Sequence, residues 1–142
     1  MNNINNINNR VLVIYGPNMN LIGLRSNKEK SLLTLDKLSK HIKTQSKFLT
    51  IKFFQTNDEV KATNMIQSQR NKIKGLILFP GPWQDCGYIL NDIIQIINLP
   101  FVTISVGEKE NILRGIKNIE NCDLYKASTE ALQVFENILL HK

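Results

Sequence analysis

The chain has 142 residues, 42% of them hydrophobic, and 18 Lys and Arg against 12 Asp and Glu give it a formal net charge of +6. That length suits one domain able to bury roughly two thirds of its unfolded surface, and no run of about 18 apolar residues is present that would cross a membrane. Two cysteines, Cys86 and Cys122, do not make a disulfide framework and offer no metal-ligand spacing; the basic balance attracts phosphates and RNA, although the lysines are scattered along the chain with no dense run.

The Asn-rich opening, residues 1–9, reads as a polar tail without the apolar segment of a secretory signal, and a single domain is expected over 10–142. Val11–Tyr15 is β-branched and apolar, hence a strand. Thr34 is placed to cap a helix reaching about Lys47, with Leu35, Leu38 and Ile42 on one face. Leu49–Phe54 reads as a second strand. Asp58 to about Asn71 reads as a helix with Val60, Met65 and Ile66 inward. Gly75–Phe79 is wholly apolar, as a central parallel strand would be. Ile89, Leu90, Ile93, Ile94 and Ile97 recur at helical spacing within 88–97. Pro100 precedes a strand over Phe101–Val106. Asn111 starts a short helix to about Ile119, Asp123–Lys126 is a fifth strand, and Glu130–Leu140 closes the chain as a helix with Leu132, Phe135 and Leu139 inward. This alternation predicts an α/β fold: a flavodoxin-like, doubly wound, five-stranded parallel sheet in three layers.

In such sheets a ligand sits beyond the carboxyl ends of the strands. The segments expected there are 16–23, 55–59, 80–87 and 105–110, with 24–33 long enough to act as a lid. Gly16-Pro17-Asn18 reads as a tight turn that presents the donor and acceptor of Asn18. It is neither a GxGxxG nor a Walker A phosphate cradle. Both histidines, His41 and His141, fall outside these loops. The remaining proton-transfer groups are Lys30, Asp58, Glu59, Asp85, Cys86, Glu108 and Glu110. Bland roles compete: Asp58 and Asp85 as helix caps, 108–110 as a solvated turn, and Cys86 with no His to activate it.

Four segments carry a family resemblance across about 10–140. VLVIYGPNMNLIGLR at 11–25 is similar to the strand and GPNLNLLGxR loop of type II 3-dehydroquinate dehydratases. FFQTNDE at 53–59, GLILFPG at 75–81 and LPFVTISV at 99–106 resemble that family's later strand–loop texts. The resemblance implies elimination of water from 3-dehydroquinate through an enolate, with no metal and no organic cofactor. By position, Asn18 and Arg25 match the family's GPN Asn and lid Arg. Asn57 and Glu59 match the polar pair after the second strand. The family's lid Tyr falls on Lys30, a substitute base whose pKa Arg25 would lower. Its substrate-binding Asn falls on Phe79, one His on Asp85, a Glu-x-His on Thr103 and Ser105, and a substrate Arg on Ile112 or Ile116. The candidate set is therefore Asn18, Arg25 and Lys30 for catalysis, and Asn57, Glu59, Asp85 and Ser105 for binding.

Because those departures remove acid–base groups worth about 10²–10⁴-fold each, the sequence leads to a non-catalytic homologue with a degraded site. It would serve as a structural or binding subunit, as a homo-oligomer (trimer or dodecamer) or in a larger assembly with RNA among the partner classes. The alternative is a divergent 3-dehydroquinate dehydratase of the shikimate pathway, or a lyase with a changed substrate. A cytoplasmic or organellar-matrix location without membrane attachment is expected, and not secretion.

Overall fold

The computed structural model describes residues 9–23, 33–105 and 111–140. Five strands, β1 (Arg10–Tyr15), β2 (Thr50–Gln55), β3 (Gly75–Phe79), β4 (Phe101–Ser105) and β5 (Lys117–Glu120), form one sheet in the order β2-β1-β3-β4-β5. Every neighbouring pair is parallel. The helices are α1 (Leu35–Gln45), α2 (Glu59–Gln69), α3 (Trp83–Cys86), α4 (Tyr88–Ile97) and α5 (Leu124–Leu140). This is the flavodoxin-like order expected from the alternation of elements.

Parallel strands need helical crossovers, and the crossovers cover both sheet faces. All residues of β3 and β4 are accordingly buried. Val11, Val13, Ile77 and Phe79 turn to one face, against Leu38 and Ile42 of α1 and Ala131, Leu132 and Phe135 of α5. Leu12, Ile14, Leu76 and Leu78 turn to the other, against Ala62 and Ile66 of α2 and Leu90 and Ile94 of α4. The chain therefore has two apolar cores separated by one sheet, which is the expected three-layer architecture.

Helix starts follow side-chain capping. Thr34 Oγ1 accepts from Lys37 N at 3.2 Å, and Asp58 Oδ1 accepts from Val60 N at 2.9 Å. Asp123 Oδ1 accepts from Tyr125 N and Lys126 N at 3.1 and 3.2 Å.

That last cap explains the principal correction. Asp123–Lys126 is not a fifth strand but the start of α5, which begins six residues before the expected Glu130. The fifth strand is Lys117–Glu120, inside the stretch read as a helix from Asn111 to Ile119. Only Ile119 of this edge strand is buried, so it lacks the apolar run that marks the other strands. Residues 111–116 hold no helix; Thr103 Oγ1 donates to Asn118 Oδ1 (2.7 Å) and accepts from Asn111 Nδ2 (3.0 Å), tying this segment to β4. One inward assignment also fails. Val60 is 52% exposed, because α2 buries Ala62, Thr63 and Ile66 instead.

Tyr15 ends β1 in the core, stacked on Phe53 at 5.9 Å between centroids and 5.1 Å from Phe79. Its hydroxyl meets Ser39 Oγ at 2.9 Å. Burial pushes the phenol up to about 12, and the Ser39 hydrogen bond opposes part of that rise. The folded chain thus holds this proton above the unfolded value of 10.0. Its contribution to stability is fully present below pH 10 and is lost as pH rises through about 12. Urea melts should show the wild type losing about 2–3 kcal/mol more than Tyr15→Phe across that window; equal alkaline losses in the two proteins would contradict this placement.

Candidate active site

β1 and β3 are neighbours, yet the chain passes from β1 to the edge strand β2 before it returns to β3. The loops after β1 and β3 therefore flank the point where the winding reverses, and a crevice opens there. Their backbones touch. Gly16 N donates to Phe79 O at 2.8 Å. A Cβ on Gly16 would lie 2.7 Å from Phe79 O and 2.8 Å from Pro80 O, so only glycine fits. Across the gap Gly81 takes φ +54, the left-handed region that glycine enters at little cost.

Asn18 also adopts the left-handed conformation, φ 71 and ψ 2, at the head of the short turn Met19–Leu21. Its N–H donates to Asn57 Oδ1 at 3.0 Å. Gln55 Nε2 donates to the same Oδ1 at 3.2 Å and to Gly16 O at 3.3 Å. The amide side chains of β2's end thus fix the shape of the β1 loop. The side-chain amide of Asn18 is exposed and makes no hydrogen bond with any described residue. Its donor and acceptor are therefore available.

The expected site residues divide sharply. Asn18 and Asn57 are brought together. Glu59 is half-buried, and its Oε2 accepts from Leu90 N at 2.8 Å, capping α4 from α2. Its carboxylate is therefore committed to an orphan helix donor, a structural use that the sequence reading assigned to Asp85. Asp85 does not cap α4, whose N-cap is Gly87; it lies exposed inside α3. Ser105 is buried at the end of β4, where its carbonyl accepts from Asn121 N at 3.1 Å. Asp58 is the α2 cap described above, and Cys86 Sγ lies 3.3 Å from Pro82 O. Arg25, Lys30, Glu108 and Glu110 lie outside the described residues.

Gln55 and Gln84 fall within the expected site segments 55–59 and 80–87 but were not singled out there. β2 runs through Gln55, one residue beyond the expected Phe54. Gln84 is buried beside Trp83 in α3, a helix of four residues too short to leave a periodic signal. His41 stays outside the crevice, as expected, with Nε2 at 3.2 Å from both Tyr125 O and Thr129 Oγ1 and its ring 4.6 Å from that of Tyr125. Among the described residues no group of three or more His, Cys, Asp or Glu is placed to hold a metal ion, and no helix is long and apolar enough to cross a membrane. The described crevice is lined by neutral amides and backbone groups, which suit hydroxyl and carboxylate ligands.

Sequence and structure comparisons point the same way. The family described as Dehydroquinase class II matches residues 9–114. The chain is 32% identical over 99 residues to the 3-dehydroquinate dehydratase of Clostridium acetobutylicum, covering 68% of this chain and 69% of that one. It is 30% identical over 99 residues to that of Endomicrobium trichonymphae, with the same coverage. Its structure is similar to the type II dehydroquinase from Propionibacterium acnes, with a TM-score of 0.78 and 18% identity over 89% of this chain and 94% of that one. A 3-dehydroquinate dehydratase-like protein from Bifidobacterium longum gives a TM-score of 0.71 at 21% identity, covering 92% of this chain and 97% of that one.

The contact between the β1 and β3 loops gives a direct prediction. Gly16→Ala should force these loops apart and destabilise the fold by about 1–3 kcal/mol, the usual range for overpacking, read as a lower urea midpoint. An unchanged midpoint would mean that the two backbones are not in contact.

Proposed function

Because the chain belongs to the class II dehydroquinase family, we propose that it is a 3-dehydroquinate dehydratase-type lyase, acting on 3-dehydroquinate or a close structural relative. The comparisons support this reading better than the non-catalytic subunit to which the sequence departures led. One structural observation carries it. Asn18 is held in the left-handed region by the Asn57 carbonyl, with its own side-chain amide exposed. That backbone conformation costs a non-glycine residue about 1–2 kcal/mol, less for Asn.

In the proposed reaction a base removes the proton next to the ketone, an enolate forms, and the adjacent hydroxyl leaves as water. The Asn18 amide N–H is suited to stabilise the enolate oxygen. By resemblance, Arg25 lowers the pKa of Lys30, which takes the proton. Solvent supplies the proton to the leaving hydroxyl, since no histidine lines the described crevice. Each missing acid–base group lowers the rate by about 10²–10⁴-fold, so turnover is slow. The same family reading makes the protein a homo-oligomer, a trimer or dodecamer, which sizing of the purified protein tests.

A second reading, the non-catalytic subunit, is favoured by Phe79. This residue, 2% exposed and packed on Tyr15, stands where the resemblance puts a substrate-binding amide. Purified protein incubated with 3-dehydroquinate should show the ultraviolet absorbance of the conjugated product, with the rate lost in Arg25→Ala and reduced about 10²–10³-fold in Asn18→Ala, the usual effect of removing one such donor. Absence of product at high protein concentration, together with absence of substrate binding by calorimetry, would sink the lyase reading in favour of the second.

A further inference from the structure

Five basic residues that are far apart in sequence come together in space. In a parallel sheet all strands start at one end, opposite the crevice. There Lys74 N donates to Arg10 O at 2.8 Å, and Thr50 N donates to Asn9 O at 3.2 Å. These two bonds set Arg10 between the turn that carries Lys47 and Phe48 and the turn that carries Lys72 and Lys74. Arg70, at the C-cap of α2, leads into the second turn. All five of these basic residues are exposed. The two turns and Arg10 precede three adjacent strands, spaced about 4.8 Å apart, so the charges form one row.

Five carboxylates lie at the opposite end, while Glu136, near the end of α5, lies at this one. Asp36, Asp58, Glu59, Asp85 and Asp123 all lie at helix starts on the crevice end, where the helix dipole favours them. The dipole favours cations at helix ends too, but Arg10 and Lys74 lie outside the helices. Beside Lys47, the Phe48 ring is 61% exposed, and the hydrogen bond from the Asn9 side chain to Phe48 O pins its backbone.

We propose that this end of the sheet is a binding face for a single-stranded polynucleotide, most simply RNA. Like charges in a row match the regular phosphates of such a strand, and an exposed ring among them offers a base a stacking surface. A flat anionic surface would use the charge but leave the ring without a partner of matching shape. The face lies opposite the crevice, so the inference stands whether or not the lyase reading holds.

The test is fluorescence anisotropy of the full chain with a labelled oligouridylate of about twelve nucleotides. Binding is expected at about 50 mM salt, with log K falling against log salt at a slope near −3 for about four phosphates contacted. Lys47→Glu/Lys74→Glu should weaken it roughly tenfold or more, and Lys61→Glu/Lys126→Glu, an equal charge change away from the row, less than about twofold. Phe48→Ala should weaken it roughly fivefold or more. Circular dichroism checks folding, and Lys47→Gln/Lys74→Gln replaces the first variant if that one fails to fold. The proposal is overturned by no binding at low salt, by equal losses in the two double variants, or by tighter binding to phosphatidylserine vesicles than to the RNA.

Discussion

Strands β1 and β3 do not end their association at Tyr15 and Phe79. The bond from Gly16 N to Phe79 O carries the pairing one residue beyond the sheet, and it forces the two loops into a contact that excludes any side chain at position 16. From that contact the rest of the crevice follows. Pro17 and Asn18 leave the sheet at a fixed angle, Gly81 takes its left-handed turn against the Pro17 carbonyl, and the end of β2 supplies Gln55 and Asn57 to hold the result. The crevice is thus assembled mainly from backbone geometry and amides. It is pre-shaped before any ligand arrives, and its described part contains few groups that transfer protons.

That division separates what keeps the fold from what can vary. The parts that keep the fold recognisable are the buried strands and the glycine contact, which the sheet depends on. Side chains that project from loops can be substituted at little cost in stability. Phe79 is the exception. It lies at the end of a strand, and its ring fills core against Tyr15. A change from a polar residue there trades a ligand contact for packing.

The reach of the sequence followed the same physical lines. β3 and β4 are buried throughout and β1 from Val11 onward, so their texts are largely apolar and were legible. β5 sits at the edge with one buried residue, Ile119; its text, KNIE, carries no strand signal, and the stronger pattern of α5 beside it drew the boundary astray. Asn18 and Asn57 were singled out by a glycine-proline turn and a family text, and the structure brings them together. The bond from Leu90 N to Glu59 was not legible, because a contact between residues 31 positions apart leaves no local trace. Gln55 lay within a segment expected at the crevice, but nothing in its own text set it apart from its neighbours. The basic row was illegible, since its members come together only through the parallel pairing of three strands.

The central place of β1 has a consequence for how the chain is made. As the polypeptide leaves the ribosome, Arg10–Tyr15 emerges first, but its two neighbours are Thr50–Gln55 and Gly75–Phe79. For the time it takes to synthesise more than sixty further residues, one of the most apolar stretches of the molecule has at least one open edge. Such an edge pairs readily with other nascent chains. A holding chaperone that covers this strand until β3 arrives would raise the yield of native protein more than one that acts on the finished domain.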